Sequence, residues 1–156
     1  MTWGGFGDAS RTLAQQVADS GFRPDLVLAI ARGGLAVAGA LAYALSVKNC
    51  FAMNVEFYTC IDQRIEVPVM LPPMLDVVDI TGMRVLVADD VADTGRTLEL
   101  VHQVINSHVS EARCAVLYQK PRSVIDCEYV WKHVDTWINF PWSTEDPIWV
   151  PEPAAR

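Results

Sequence analysis

The chain has 156 residues, 51% of them apolar, with a mean hydropathy of +0.20, which suffices for one well-buried domain of residues 1–156 and excludes a disordered chain. A net charge of −7 and a pI near 4.8 exclude a general nucleic-acid surface, so any anion site must be built locally, against the global field. Cys50, Cys60, Cys114 and Cys127 form no CxxC pair and no zinc spacing. Cys50, Cys114 and Cys127 sit in or beside strand-like stretches and read as reduced core thiols.

In chain order, Asp8 or Ser10 is placed to cap a first helix with Leu13, Ala14, Val17 and Ala18 on one face, stopped by Gly21. Pro24 separates it from Leu26-Val27-Leu28-Ala29-Ile30, an uninterrupted run of the kind buried on both faces of a parallel sheet. Ala31-Arg32-Gly33-Gly34 then turns into an Ala-rich helix, Leu35 to Leu45. That apolar run is too short to span a bilayer. Met1 to Asp8 is Gly-rich and polar, with no signal peptide visible. The expectation is a cytoplasmic protein with no integral membrane segment. Phe51 to Tyr58 reads as a third strand. Thr59 to Gly82 is the least regular stretch, with a strand-like Val67 to Leu71 inside it, and a long irregular segment in a compact domain is usually functional.

The most informative stretch follows. Val85-Leu86-Val87-Ala88 is a short buried-strand pattern leading into Asp89 and Asp90; Asp93, Thr94, Gly95, Arg96 and Thr97 come next, and Leu98, Val101, His102, Ile105 and Val109 recur at helical spacing. Asp93 to Thr97 is therefore the turn between strand and helix, at the sheet edge where ligands bind in open α/β folds. Gly95 permits positive φ and a close ligand approach. Free N–H groups at a helix start form an anion cradle, and Thr94 and Thr97 add hydroxyls. That describes a phosphate monoester site. Asp89 and Asp90 would repel the phosphate. Adjacent acids suit a vicinal diol, each accepting from its hydroxyls, or form an ionised pair whose repulsion Mg²⁺ eases. Phosphate on one side and diol on the other describe a ribose 5-phosphate. Taken singly, Asp93 could be a plain helix cap and the other two acids ordinary loop residues. The constellation asks for more.

Arg113 to Gln119 reads as another strand, ending in Lys120-Pro121. Asp126 to Trp131 reads as a short strand, and Asp135-Thr136-Trp137-Ile138-Asn139-Phe140-Pro141-Trp142 precedes a Pro-rich tail. Trp142 and Trp149 are expected to close the core, whereas Trp137 offers a face for stacking on a purine. Lys120, ending the neighbouring strand, can donate to a 6-oxo group. His102, His108 and His133 show no metal-ligand spacing.

Leu86 to Thr97 resembles the PRPP-binding motif of the type I phosphoribosyltransferases: an apolar strand, two acids and Asp-Thr-Gly-x-Thr. Lys-Pro, a short strand and Asp-Thr-Trp-Ile-x-x-Pro-Trp are similar to bacterial xanthine-guanine and small archaeal purine phosphoribosyltransferases. The archaeal type shares the look of Val55-Glu56-Phe57-Tyr58 and Ile61-Asp62-Gln63-Arg64, so the resemblance runs from about Asp25 to Trp142. It implies an α/β fold with a central, mainly parallel sheet flanked by helices and a small C-terminal hood. It further implies a mobile hood loop at 59–82 that excludes water, and a base-binding hood and tail at 120–156. The implied reaction is Mg²⁺-dependent transfer of ribose 5-phosphate from PRPP to a purine base, in a homo-oligomer that binds no nucleic acid. By the same resemblance Asp89 and Asp90 hold the ribose hydroxyls or the Mg²⁺, and Asp93, Thr94, Gly95, Arg96 and Thr97 hold the 5-phosphate. Asp93 also accepts a purine ring proton. Arg32 and Gly33 hold the pyrophosphate, an assignment that Arg-Gly-Gly alone would not support. Lys120 contacts O6, Trp137 stacks on the base, and the Ile138 carbonyl reads the 2-position. Tyr58 matches an aromatic of the purine members, although Phe57 stands where a Ser often precedes it. Asn139 is uncharged where the enteric xanthine-guanine enzymes carry an acid, which leaves xanthine, guanine and hypoxanthine open. A non-enzymatic PRPP-binding regulator on the same fold is the alternative. It usually needs a DNA-binding domain or basic face, which this composition lacks. A receiver-like signalling domain also pairs acids at a strand end, but leaves Asp-Thr-Gly-Arg-Thr unexplained.

Overall fold

A computed structural model describes residues 1–59, 66–71 and 80–149. In chain order its elements are α1 (Trp3–Asp19), β1 (Leu26–Ala31), α2 (Gly33–Ala44), β2 (Cys50–Thr59), β3 (Glu66–Leu71), β4 (Arg84–Ala92), α3 (Arg96–Ile105), β5 (Glu111–Gln119) and β6 (Tyr129–His133). The strands form one sheet in the order β3-β2-β1-β4-β5-β6. Five strands are parallel, and β3 pairs antiparallel along the outer half of β2, from Asn54↔Leu71 to Thr59↔Glu66. This is the α/β architecture expected from the sequence.

Alternation along the central strands produces the two cores. Val27, Ala29, Leu86, Ala88, Ala115 and Leu117 face α1 and α2. Leu26, Leu28, Ile30, Val85, Val87 and Val116 face Leu98, Val101 and Ile105 of α3. Each strand residue buries its side chain on one side or the other, which is why these segments carry no polar alternation. At the opening of the sheet, Asp25 binds Arg84 through its backbone N–H at 2.9 Å, Nε at 3.1 Å and Nη2 at 2.9 Å. This aligns the starts of β1 and β4, and the Arg84 hydrogen bonds lower the Asp25 pKa to about 2.

Element boundaries and one thiol differ from the sequence expectation. Helix α1 begins at Trp3, not at Asp8 or Ser10: Thr2 is its N-cap, its hydroxyl accepting from the Gly5 N–H at 3.1 Å. Ser10 is buried in mid-helix. Three glycines join this helix because Trp3 and Phe6 have aromatic partners elsewhere in the chain; packing outweighs propensity. Gly33 and Gly34 lie in the first turn of α2 rather than before it, and Arg96 and Thr97 open α3, with Gly95 as its N-cap. Strand β6 starts at Tyr129, not Asp126, since side chains replace the ladder before it. Gln119 donates to Asp126 at 3.0 Å and accepts from the Cys127 N–H at 3.0 Å, and Glu128 accepts from the Cys114 N–H at 2.7 Å. Cys50 is exposed, not a core thiol: it is the first residue of β2, at the end of the sheet.

Residues 60–65 and 72–79, most of the expected hood loop, lie outside the described residues, as do Cys60, the side chain of Tyr58 and the tail from 150. The expected strand inside that segment is β3. None of the described helices is long and apolar enough to cross a membrane.

Candidate active site

Parallel pairing of β1 with β4 brings the two Gly-rich turns of the sequence to one edge of the sheet. Strand β4 continues through Asp89 and Asp90 to Ala92, so both acids belong to the strand. The α2 start closes directly over them. A Cβ on Gly33 would lie 2.0 Å from Asp90 Oδ2, and one on Gly34 would lie 2.4 Å from the Ala88 carbonyl oxygen. The β4 backbone thus demands glycine at 34, and at 33 a side chain would displace the Asp90 carboxylate from its place. The Ala31–Arg32 peptide bond is cis, and the Arg32 side chain is exposed beside this contact.

Asp89 and Asp90 are half-buried. Asp89 Oδ1 accepts the Asp90 N–H at 2.8 Å, and the Gly34 N–H also donates to Asp89. Burial first, and the neighbouring Asp90 charge second, push the Asp89 carboxyl well above the usual range. Burial also raises Asp90, opposed by the nearby Val91 N–H and Trp142 indole. This is a strained pair of hard oxygen donors. No further His, Cys, Asp or Glu joins it among the described residues to make a cluster of three. Mg²⁺ suits such a set, because it takes one or two carboxylates and completes its shell with water and substrate oxygens.

Past β4 the chain turns through Asp93 and Thr94 to Gly95 at φ 75°. The α3 start carries no side-chain cap at Gly95, which leaves its first N–H groups to an external acceptor. Thr94 and Arg96 are exposed and Thr97 is half-buried. A Cβ on Gly95 would lie 2.4 Å from Ser123 Oγ and 2.9 Å from Ile125 Cγ2. The residue is therefore constrained from behind by the loop after β5 as well as by its own φ. That loop is zipped to the turn by the Lys120 N–H on the Ala92 carbonyl at 3.0 Å and the Val124 N–H on the Thr94 carbonyl at 2.9 Å.

The zipper brings the expected base residues to the phosphate turn. Lys120 is buried, 7% exposed, with Nζ 3.2 Å from Asp93 Oδ1 and 5.9 Å from the centroid of the Trp137 ring. The Trp137 ring is 83% exposed, its Nε1 donating to Asn139 Oδ1 at 3.1 Å, while Ile138 packs against the α1/α2 core. Asp93 does not cap α3. Its carboxylate is held by Lys120 and by Arg122, whose Nε lies 2.9 Å from Oδ1 and whose Nη2 lies 2.6 Å from Oδ2. The Arg122 hydrogen bonds are the main reason the Asp93 pKa is lowered, with Lys120 adding to them.

Two residues near the site escaped the sequence reading. Arg122, two positions beyond Lys120, had only its place in Lys-Pro-Arg-Ser as a signal. Trp142 closes the core as expected, stacked on Phe140 at 4.9 Å and 9° and edge-on to Phe6 at 5.3 Å, but its indole also lies near enough to Asp90 to lower that carboxyl's pKa. Trp149 is 81% exposed and does not close the core. His102 is half-buried against Cys114 Sγ at 2.9 Å, away from any ligand set.

Comparison with known proteins places this geometry. The family model for the phosphoribosyl transferase domain matches residues 2–149. The xanthine-guanine phosphoribosyltransferase of Ruegeria sp. (strain TM1040) is 33% identical over 153 residues, covering 91% of this chain and 83% of that protein. That of Desulfotalea psychrophila is 31% identical and covers 97% and 89%. The crystal structure of a purine phosphoribosyltransferase from Pyrococcus horikoshii Ot3 superposes with a TM-score of 0.81 at 32% identity over 97% of both chains.

Proposed function

The chain belongs to the phosphoribosyl transferase domain family, and from that premise we propose that it moves ribose 5-phosphate from PRPP to N9 of a 6-oxopurine, guanine, xanthine or hypoxanthine. It is a purine phosphoribosyltransferase, an enzyme of the glycosyltransferase type, and not the PRPP-binding regulator that the sequence left as an alternative. The observation that carries the 6-oxo assignment is the buried Lys120 ammonium beside both the Asp93 carboxylate and the Trp137 ring. An ammonium donates and never accepts, which favours a carbonyl at the 6-position over the amino group of adenine. An ionised carboxylate accepts and never donates, which suits a ring N–H.

In this reading Arg32 and Gly33 hold the pyrophosphate, Asp89 and Asp90 the ribose hydroxyls, and Asp93 to Thr97 the 5-phosphate. Trp137 stacks on the base and the Ile138 carbonyl reads the 2-position. The N9 lone pair forms the bond to C1′ as the C1′–O bond breaks, its electrons leave on pyrophosphate, and a ring N–H proton passes to Asp93. The reacting carbon passes through an oxocarbenium-like state, so catalysis is mostly positioning and charge stabilisation. Asp89 and Asp90 would hold Mg²⁺, which neutralises the leaving pyrophosphate. The reading includes a cytoplasmic homo-oligomer, the latter testable by light scattering of the purified protein.

Lys120→Met tests the base site, since it keeps much of the stem and removes the charge. A hydrogen bond to a charged group is worth roughly 1.5–3 kcal/mol. The expected loss in kcat/KM for guanine, hypoxanthine or xanthine is therefore about 10- to 100-fold, with PRPP binding nearly unchanged. A wild-type preference for adenine, orotate or uracil would overturn the assignment. So would equal losses of PRPP binding and base turnover in the variant.

A further inference from the structure

The Asp93 carboxylate is unusually well tethered for a group 41% exposed. Oδ1 receives the Arg122 Nε at 2.9 Å and the Lys120 Nζ at 3.2 Å, and Arg122 Nη2 bridges to both oxygens. A carboxylate oxygen has about two lone-pair sites. Oδ1 is thus saturated by cations, whereas Oδ2 takes a single donor. The Asp135 charge, at the start of the segment that carries Trp137, adds weakly to the field on Arg122. Two cations from the loop after β5 therefore converge on one carboxylate of the turn after β4.

We propose that Arg122 is the positioning residue for Asp93: it pins Oδ1 together with Lys120 and leaves Oδ2 aimed as the acceptor for the purine ring N–H. The inference rests on the reading of Asp93 as proton acceptor. A lone lysine fixes a distance but not an orientation, since an ammonium is a point charge on a flexible stem. A planar guanidinium engaging both oxygens fixes the plane of the carboxylate as well. The charged groups facing Asp93 are Arg122 and Lys120, with Asp135 acting through Arg122. Both cations lower the Asp93 pKa, and Arg122 is the larger cause. Arg122 thus favours the ionised, accepting form of Asp93.

The test compares wild type with Arg122→Ala, Arg122→Lys and Asp93→Asn, with PRPP and Mg²⁺ saturating and hypoxanthine varied. In parallel, the Asp93 carboxyl ¹³C signal, assigned by its loss in Asp93→Asn, is titrated by NMR. Arg122→Ala is expected to raise the Asp93 midpoint toward the ordinary carboxylate value. Its kcat/KM for hypoxanthine should fall about tenfold with the KM for PRPP unchanged, and Arg122→Lys should recover part of each. An Asp93 midpoint in Arg122→Ala that coincides with wild type overturns the inference, as does a KM for PRPP that rises in step with the loss of turnover. If Asp93→Asn turns over hypoxanthine at the wild-type rate, the acceptor reading of Asp93 fails. If Asp93→Asn is inactive while Arg122→Ala is indifferent, the role of Arg122 alone fails.

Discussion

Gly95 shows how one residue can be required twice. Its φ of 75° is a conformation that costs an L-residue roughly 1–2 kcal/mol, and a side chain there would also strike Ser123 and Ile125. Gly95→Ala should therefore lower stability by about 2 kcal/mol and weaken PRPP binding, measured by chemical denaturation and by calorimetry. An unchanged denaturation midpoint would show that the 123–125 loop yields freely. Asp89 and Asp90 carry the opposite trade. Asp90→Asn removes one of two repelling, half-buried charges, so the ligand-free variant should melt at or above the wild-type temperature while its PRPP affinity and Mg²⁺ dependence fall. Functional sites often hold such unfavourable charge. A lower melting temperature with intact PRPP binding would mean that the pair is structural.

At the scale of elements, β1 and β4 do the positioning. Their parallel register sets both turns at one edge, and the Asp25–Arg84 pair fastens their other ends. The folded Asp25 pKa of about 2 lies below its ordinary value of 3.8. The pair therefore contributes stability above pH 3.8, and that contribution is lost as the pH falls from 3.8 through about 2. Asp25→Asn should melt below wild type at pH 7, the difference shrinking across that window. A constant difference would assign the effect to packing. Helix α1 is fastened differently, through Thr2. Thr2→Ala should cost about 1 kcal/mol, seen as a melting temperature lower by about 2–4 °C. The buried strands were legible because a strand packed on both faces has no choice but to be apolar throughout. The start of α1 was not, since three glycines in its first turn and a half signal against a helix, and only aromatic partners distant in sequence outweigh that local preference.

At the scale of the whole molecule, the N-terminus and the segment after β6 meet beside the candidate site. The Met1 ammonium donates to the Asn139 carbonyl at 2.8 Å, Trp3 and Phe6 pack on Trp142, and the Trp142 indole, near Asp90, lowers that carboxyl's pKa. The N-terminal helix, the segment after β6 and the central acid pair thus form one connected body. Trp142→Phe preserves an aromatic stack on Phe140 and removes the N–H. The expectation is PRPP binding weaker by about tenfold, with little change in melting temperature. If melting temperature falls and PRPP affinity does not, Trp142 serves the core alone.

The sequence by itself determined the fold class and named most of the residues that the structure gathers at the candidate site. Asp89, Asp90 and the Asp93 to Thr97 turn are contiguous, and local chemistry alone limits what such a turn can bind. Lys120 and Trp137 were legible at a distance through the pattern around them. What only the tertiary structure decided are the meetings between segments that no spacing records. These are Gly33 beneath Asp90, Ser123 behind Gly95, Trp142 against Asp90, and Arg122 on Asp93. The reason is physical: periodicity reports which face of an element is buried, whereas the pairing of loops is set by the register of strands far apart in the chain.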